Sequence, residues 1–223
     1  MNLSGLHKAK VFLETLQLSG IEEVFLKTSR RTVIRGTARD NTQELQQLRE
    51  KVIRCTKCDE LVQNRHSVVF GSGSPHAKLV FVGEAPGAEE DRQGLPFVGP
   101  AGQLLTKMIE AIGLKREEVF IANVLKCRPP GNRTPRPEEI KNCEPYLVKQ
   151  LGLIQPNLIC ALGTFAAQTL LKTATPISSL RGKIHDYHGI PVLCTFHPAY
   201  LLRNPSEKRK SWEDLKKLRS LLG

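Results

Sequence analysis

Apolar residues gather in four short runs, at residues 78–82, 118–124, 158–163 and 190–196, rich in β-branched and aromatic side chains. Runs of this length without polar alternation suit strands covered on both faces. Between them the apolar spacing turns helical. It does so over 101–112, from Glu138 onward behind Pro137 and with acids in the first turn, through Ala167, Leu170 and Leu171, and over the charged segment 207–222. Strands alternating with helices predict an α/β fold, with a mostly parallel four-stranded sheet and helices on both faces. One more helix is expected to start at Asp40. There Asp40 and Gln43 match a capping box, Leu45, Leu48 and Val52 share one face, and the helix runs into the Cys55-Thr56-Lys57-Cys58 motif.

Two stretches fit neither period. Residues 83–100 hold four glycines, three prolines, the acids Glu84, Glu89, Glu90 and Asp91, and a lone Phe97 close to Pro96 and Gly99. They read as a long loop leaving the carboxyl end of a strand, where open α/β sheets place their ligands. Residues 125–137 form a proline-rich basic loop that regular structure cannot accommodate. Residues 1–40 are expected to be a separate extension. Leu6, Val11, Phe12, Leu13, Leu16 and Leu18 outline a short amphipathic helix there, a strand or further helical turn follows at 21–26, and a basic linker ends it. Residues 41–223 are expected to form one catalytic domain.

Charge narrows the partners. With 33 Lys and Arg against 22 Asp and Glu, the net charge is +11, which favours a polyanion such as nucleic acid. No apolar run is long enough to span a membrane, and the first residues lack the apolar core and cleavage site of a signal peptide, so a cytoplasmic protein is expected. In that compartment six cysteines point to metal binding more than to disulfides. Cys160 and Cys194 sit inside strand runs and read as core residues. Cys55, Cys58, Cys127 and Cys143 remain, and a tetrad of thiolates can hold zinc or a cubane iron–sulfur cluster. Composition does not separate the two.

With these residues laid out, the chain from about Cys55 to the C-terminus resembles the family 4, iron–sulfur uracil-DNA glycosylases. The resemblance rests on GEAPG at 83–87, EEDRQGLPFVG at 89–99, Asn123 followed by KCRPPGNRTP, Cys143, and HPAYLLR at 197–203. It implies a three-layer α/β/α sandwich, a [4Fe-4S] cluster on Cys55, Cys58, Cys127 and Cys143, and uracil-containing DNA as the partner of a monomeric enzyme in base excision repair. It also implies a uracil pocket of Gly83, Ala85, Phe97 and Asn123. In that pocket Phe97 stacks on the flipped base, Asn123 reads it, and His197 donates to the uracil O2 as charge develops there. Tyr200, Leu201 and Arg203 would belong to a loop pressed into DNA, with Leu201 or Tyr200 filling the vacated gap. The best known enzymes of this kind carry an aspartate in the first motif to handle water. Here Ala85 occupies that place, leaving Glu84 and Glu90 as the available carboxylates. Two other readings compete: a relative that captures uracil sites covalently, and a non-catalytic metal-containing DNA-binding module. The first uses a histidine in the loop after the asparagine, and no histidine occurs between Asn123 and Cys143.

Overall fold

A computed structural model of the chain describes residues 41–223. The expectations for residues 1–40, and for Asp40 as a cap, lie outside the described residues. The sheet is built from β1 (Ser72–Gly73), β2 (Leu79–Gly83), β3 (Phe120–Asn123), β4 (Leu158–Leu162), β5 (Ile184–Tyr187) and β6 (Ile190–Thr195), in the order β1-β3-β2-β4-β6-β5. The four expected strands form its parallel centre, β3-β2-β4-β6. The sheet has six strands, not four, because an antiparallel strand closes each edge. β1 is only two residues long, and β5 folds back on β6 through His188-Gly189. Both turn residues have positive φ (51° and 84°), as a two-residue hairpin turn requires.

Alternate residues of the central strands point to opposite faces, which gives the sandwich two cores. Val80, Val82, Ala122, Ile159, Ala161 and Val192 pack towards α1 (Thr42–Ile53), α5 (Pro137–Ile154) and α6 (Gly163–Leu171). Leu79, Phe81, Ile121, Cys160, Leu162 and Leu193 pack towards the other layer, α4 (Pro100–Ala111), α8 (Pro198–Arg203) and α9 (Lys208–Leu222). Cys160 and Cys194 are fully buried in β4 and β6, as expected of core residues.

Local details differ from the sequence expectations. α1 begins at Thr42 behind Asn41, whose side chain caps nothing, and it ends at Ile53, short of the Cys55–Cys58 pair. A separate short helix, α2 (Asp59–Asn64), follows that pair. The stretch after β2 is not loop throughout, because residues 88–93 coil into α3 (Ala88–Gln93), stopped by Gly94 at φ 69°. α3 is tied down by Asp91, fully buried, whose carboxylate accepts from the backbone N–H of His66 and Ser67 at 3.0–3.2 Å. The expected DNA-facing loop at 198–203 is the helix α8, which has Pro198 in its first turn and buries Leu201 to 1% exposure against α4. Leu201 is therefore a core residue, which corrects the expectation that it meets DNA. Its neighbours Tyr200 and Leu202 are the exposed ones, at 36% and 43%.

Candidate active site

The four parallel strands end on one side of the sheet, and the expected site residues meet there. Gly83 closes β2 and pairs in register with Asn123, the last residue of β3. The fit is tight. A Cβ on Gly83 would come within 2.4 Å of Asn123 Oδ1 and 2.7 Å of the Phe97 ring, so this position needs the absence of a side chain. β6 delivers His197, whose Cβ faces Gly163 at the end of β4. Gly163 has φ +87°, and a Cβ there would meet His197 Cβ at 2.8 Å. Phe97, Asn123 and His197, with Glu84, Ala85, Glu90 and Arg203, border a cavity of about 310 Å³, while Gly83 lies behind Asn123 and Phe97 and Tyr200 and Leu201 do not line it.

Three features mark the cavity. Asn123 is 2% exposed, and its Oδ1 has no hydrogen-bond partner among the described residues. Leaving such an oxygen unsatisfied costs about 1–3 kcal/mol, so it points to a ligand that brings a donor. Phe97, also buried, has φ 52°, a left-handed conformation that bulky residues rarely adopt. Its ring lies 5.5 Å from the His197 ring, centroid to centroid, tilted by 33°. His197 Nδ1 accepts from the Ala199 backbone N–H at 3.1 Å, which puts the proton of the neutral ring on Nε2.

The titratable groups divide the work. His197 is enclosed by protein except where its ring opens on the cavity. That enclosure, helped by the Arg203 guanidinium and opposed by Glu90, pushes its pKa down to about 4 from 6.5. It is thus a neutral donor at physiological pH. Desolvation raises the Glu84 pKa above the ordinary carboxylate value, and no hydrogen bond or ion pair among the described residues engages its side chain. Glu90 differs. Its Oε1 accepts from the backbone N–H groups of Val98 and Gly99, both at 2.9 Å, so it straps down the segment that carries Phe97.

The chain matches the family model described as the uracil DNA glycosylase superfamily over residues 70–216. Curated relatives named type-4 uracil-DNA glycosylase are similar along most of it. The one from Archaeoglobus fulgidus is 44% identical over 189 residues, covering 81% of this chain and 94% of the relative. That from Sulfurisphaera tokodaii is 45% identical, covering 79% and 84%, and that from Thermotoga maritima 46%, covering 78% and 92%. The chain belongs to the uracil-DNA glycosylase superfamily, with type-4 enzymes as its relatives.

In this member of the superfamily none of Cys55, Cys58, Cys127 and Cys143 borders the cavity. Each of the four sulfurs accepts a hydrogen bond: Cys55 from Tyr146 Oη (3.4 Å), Cys58 from Asn142 Nδ2 (3.5 Å), Cys127 from Arg65 Nη1 (3.1 Å) and Cys143 from the Lys126 N–H (3.2 Å). Cys58, Cys127 and Cys143 each lie close enough to another of the four for an ionised neighbour to raise its thiol pKa. Among the described residues no three His, Cys, Asp or Glu side chains converge on a single metal ion. Burial raises the thiol pKa values of Cys58 and Cys127 and pushes that of Cys143 up to about 12.

Two buried or half-buried cations in the glycosylase escaped sequence reasoning. Lys126 is 1% exposed, and its ammonium donates to the Asn123 carbonyl at 2.8 Å and to Gln150 Oε1 at 2.6 Å. Its signal was a lysine within the apolar run between Asn123 and Cys127. Arg116 donates to the Pro96 and Phe97 carbonyls, and nothing in its local sequence marks it.

The His197 geometry fixes a pH response. Its pKa is depressed in the fold, so its contribution to stability is complete above pH 6.5 and is lost as pH falls towards about 4, where the folded state takes up the proton. Imidazole ¹⁵N NMR should show a neutral ring protonated at Nε2 between about pH 5.5 and 8. A midpoint near 6.5, or a proton on Nδ1, would contradict this assignment.

Proposed function

We propose that the pocket recognises uracil extruded from DNA and that the enzyme hydrolyses its N-glycosidic bond, leaving an abasic site. Uracil-DNA glycosylase is the activity named for the relatives, and the basic chain suits a DNA substrate. One observation carries the pocket assignment: the buried Asn123 Oδ1 without a donor. Uracil N3–H can supply that donor while the Asn123 amide N–H donates to O4. Cytosine has no hydrogen on N3 and would leave the oxygen unsatisfied.

A base inside a duplex is out of reach, so the nucleotide leaves the stack and enters the cavity. Phe97 offers its face to the ring. As the C1′–N1 bond breaks, its electron pair departs with uracil and spreads to O2 and O4. The neutral His197 Nε2–H is positioned to donate to O2, stabilising that charge without having to give up its proton. The sugar becomes cationic and takes hydroxide from water, whose proton passes to the departing base or to solvent. Glu84, desolvated and free of partners among the described residues, is the carboxylate suited to orient this water and face the sugar cation. Glu90 acts as a strap. Tyr200 and Leu202, exposed on α8, are placed to fill the gap left in the stack, and Arg203 to meet a phosphate. The domain that does this is residues 41–223.

Cys55, Cys58, Cys127 and Cys143 would hold a [4Fe-4S] cluster. Four sulfurs, each with a donor aimed at it, suit thiolate ligands. When bound, the cluster supplies a cross-link between the Cys55–Cys58 segment, the basic loop and α5.

The test is single-turnover excision from a uracil-containing oligonucleotide, read after alkali. Asn123→Asp should lose most uracil excision, on the order of 10²–10³-fold as for a lost transition-state contact, with any residual activity shifted towards cytosine. Uracil excision near the original rate would remove Asn123 from the reader's role. Cys127→Ser should lower iron and acid-labile sulfide and reduce thermal stability, because metal binding to thiolates is coupled to folding. Full cluster content in that variant would exclude Cys127 as a ligand.

A further inference from the structure

We infer that Arg116 is a positioning residue of the base pocket: it holds the Phe97 backbone in its left-handed conformation and so sets the plane on which the base stacks. The inference rests on the reading of Phe97 as the stacking ring. Arg116 lies in the short turn Arg116–Glu118 before β3, outside the cavity and outside every motif noted in the sequence. Its guanidinium nevertheless reaches the pocket from behind. Nη2 donates to the Pro96 carbonyl at 2.6 Å and to the Phe97 carbonyl at 3.0 Å, while Nη1 donates to Thr106 Oγ1 at 3.0 Å.

The three contacts matter together. A phenylalanine at φ 52° is strained by roughly 1–3 kcal/mol and persists only where its surroundings over-determine it. Arg116 fixes the carbonyls of residues 96 and 97. On the far side, Glu90 fixes the N–H groups of residues 98 and 99. α4 supplies a third wall, since a Cβ on Gly102 would stand 1.8 Å from the Phe97 carbonyl oxygen. The Phe97 peptide is therefore held by a cation, an anion and a helix turn with no room for adjustment. The planar fork serves two carbonyls from Nη2 and the Thr106 hydroxyl from Nη1, two rigidly spaced nitrogens. A lysine ammonium, a point charge on a flexible stem, cannot reproduce that geometry.

Arg116→Lys should lower single-turnover uracil excision by on the order of 10–100-fold, since sub-ångström misplacement of a binding group is costly. DNA affinity should change little, because phosphate contacts dominate it. Thr106→Val, which deletes one acceptor and leaves the arginine, should show a smaller loss in the same direction and covers the case in which Arg116→Lys folds poorly. The decisive readout is coupling. In a Phe97→Ala background, Arg116→Lys and Thr106→Val should each cost less than about twofold, because the ring they position is gone. If Phe97→Ala lowers excision but the second substitution multiplies the loss in full, Arg116 is a structural residue and the inference fails. If Phe97→Ala leaves excision intact, the stacking role itself fails, and the two failures are distinguished.

Discussion

An amide oxygen without a donor in a buried site costs about 1–3 kcal/mol, and here the cost falls on Asn123 Oδ1. The surrounding fold keeps it in place. The parallel register sets Asn123 beside Gly83, and no side chain at 83 could fit between them. The Lys126 ammonium, itself buried, secures the Asn123 carbonyl. Phe97 closes the other side from a strained backbone. The cavity is therefore shaped by the fold itself. Such preorganisation lets binding energy act on the transition state, because little of it is spent on ordering the site.

The electrostatics follow the same plan. A chain of net charge +11 suits a polyanionic partner, and the cavity, bordered also by Glu90, Arg133 and Arg203, holds a neutral imidazole and the desolvated Glu84 side chain. Enclosure shifts both groups, raising the Glu84 pKa and lowering that of His197, since it disfavours whichever form is charged. A neutral His197 held in one tautomer by the Ala199 N–H carries its ring proton on Nε2 over the physiological range. The two glutamates of the following segment are separated by their partners: Glu90 spends an oxygen on two backbone N–H groups, whereas Glu84 has no such partner among the described residues. That difference ranks two carboxylates that the sequence left equal.

Much of this was legible in the residues. Uninterrupted β-branched runs announced the four parallel strands, since strands buried on both faces leave no polar alternation. The motifs at 83–99, 123–135 and 197–203 marked the strand ends as the site. The edge strands were hidden for opposite reasons. β1 has too few residues to carry a pattern, and the Ile184–Tyr187 strand alternates polar residues like a surface loop. Leu201 was misjudged because a motif does not show which way a helix turns its residues, and α8 turns that side chain into the core. Arg116 could not be found from sequence, because two of its three acceptors are main-chain carbonyls, which every residue has, and the only mark of Lys126 was its place in an apolar run, with its partners Asn123 and Gln150 brought together by the fold.

If uracil supplies the donor that Asn123 Oδ1 lacks, it must bind in this cavity. A crystal structure of the protein with free uracil tests it most directly. The account predicts the ring stacked on Phe97, N3–H donating to Asn123 Oδ1, and O2 accepting from His197 Nε2, with the Phe97 backbone unmoved. Uracil bound elsewhere, or bound here with Asn123 Oδ1 still lacking a donor, would contradict it.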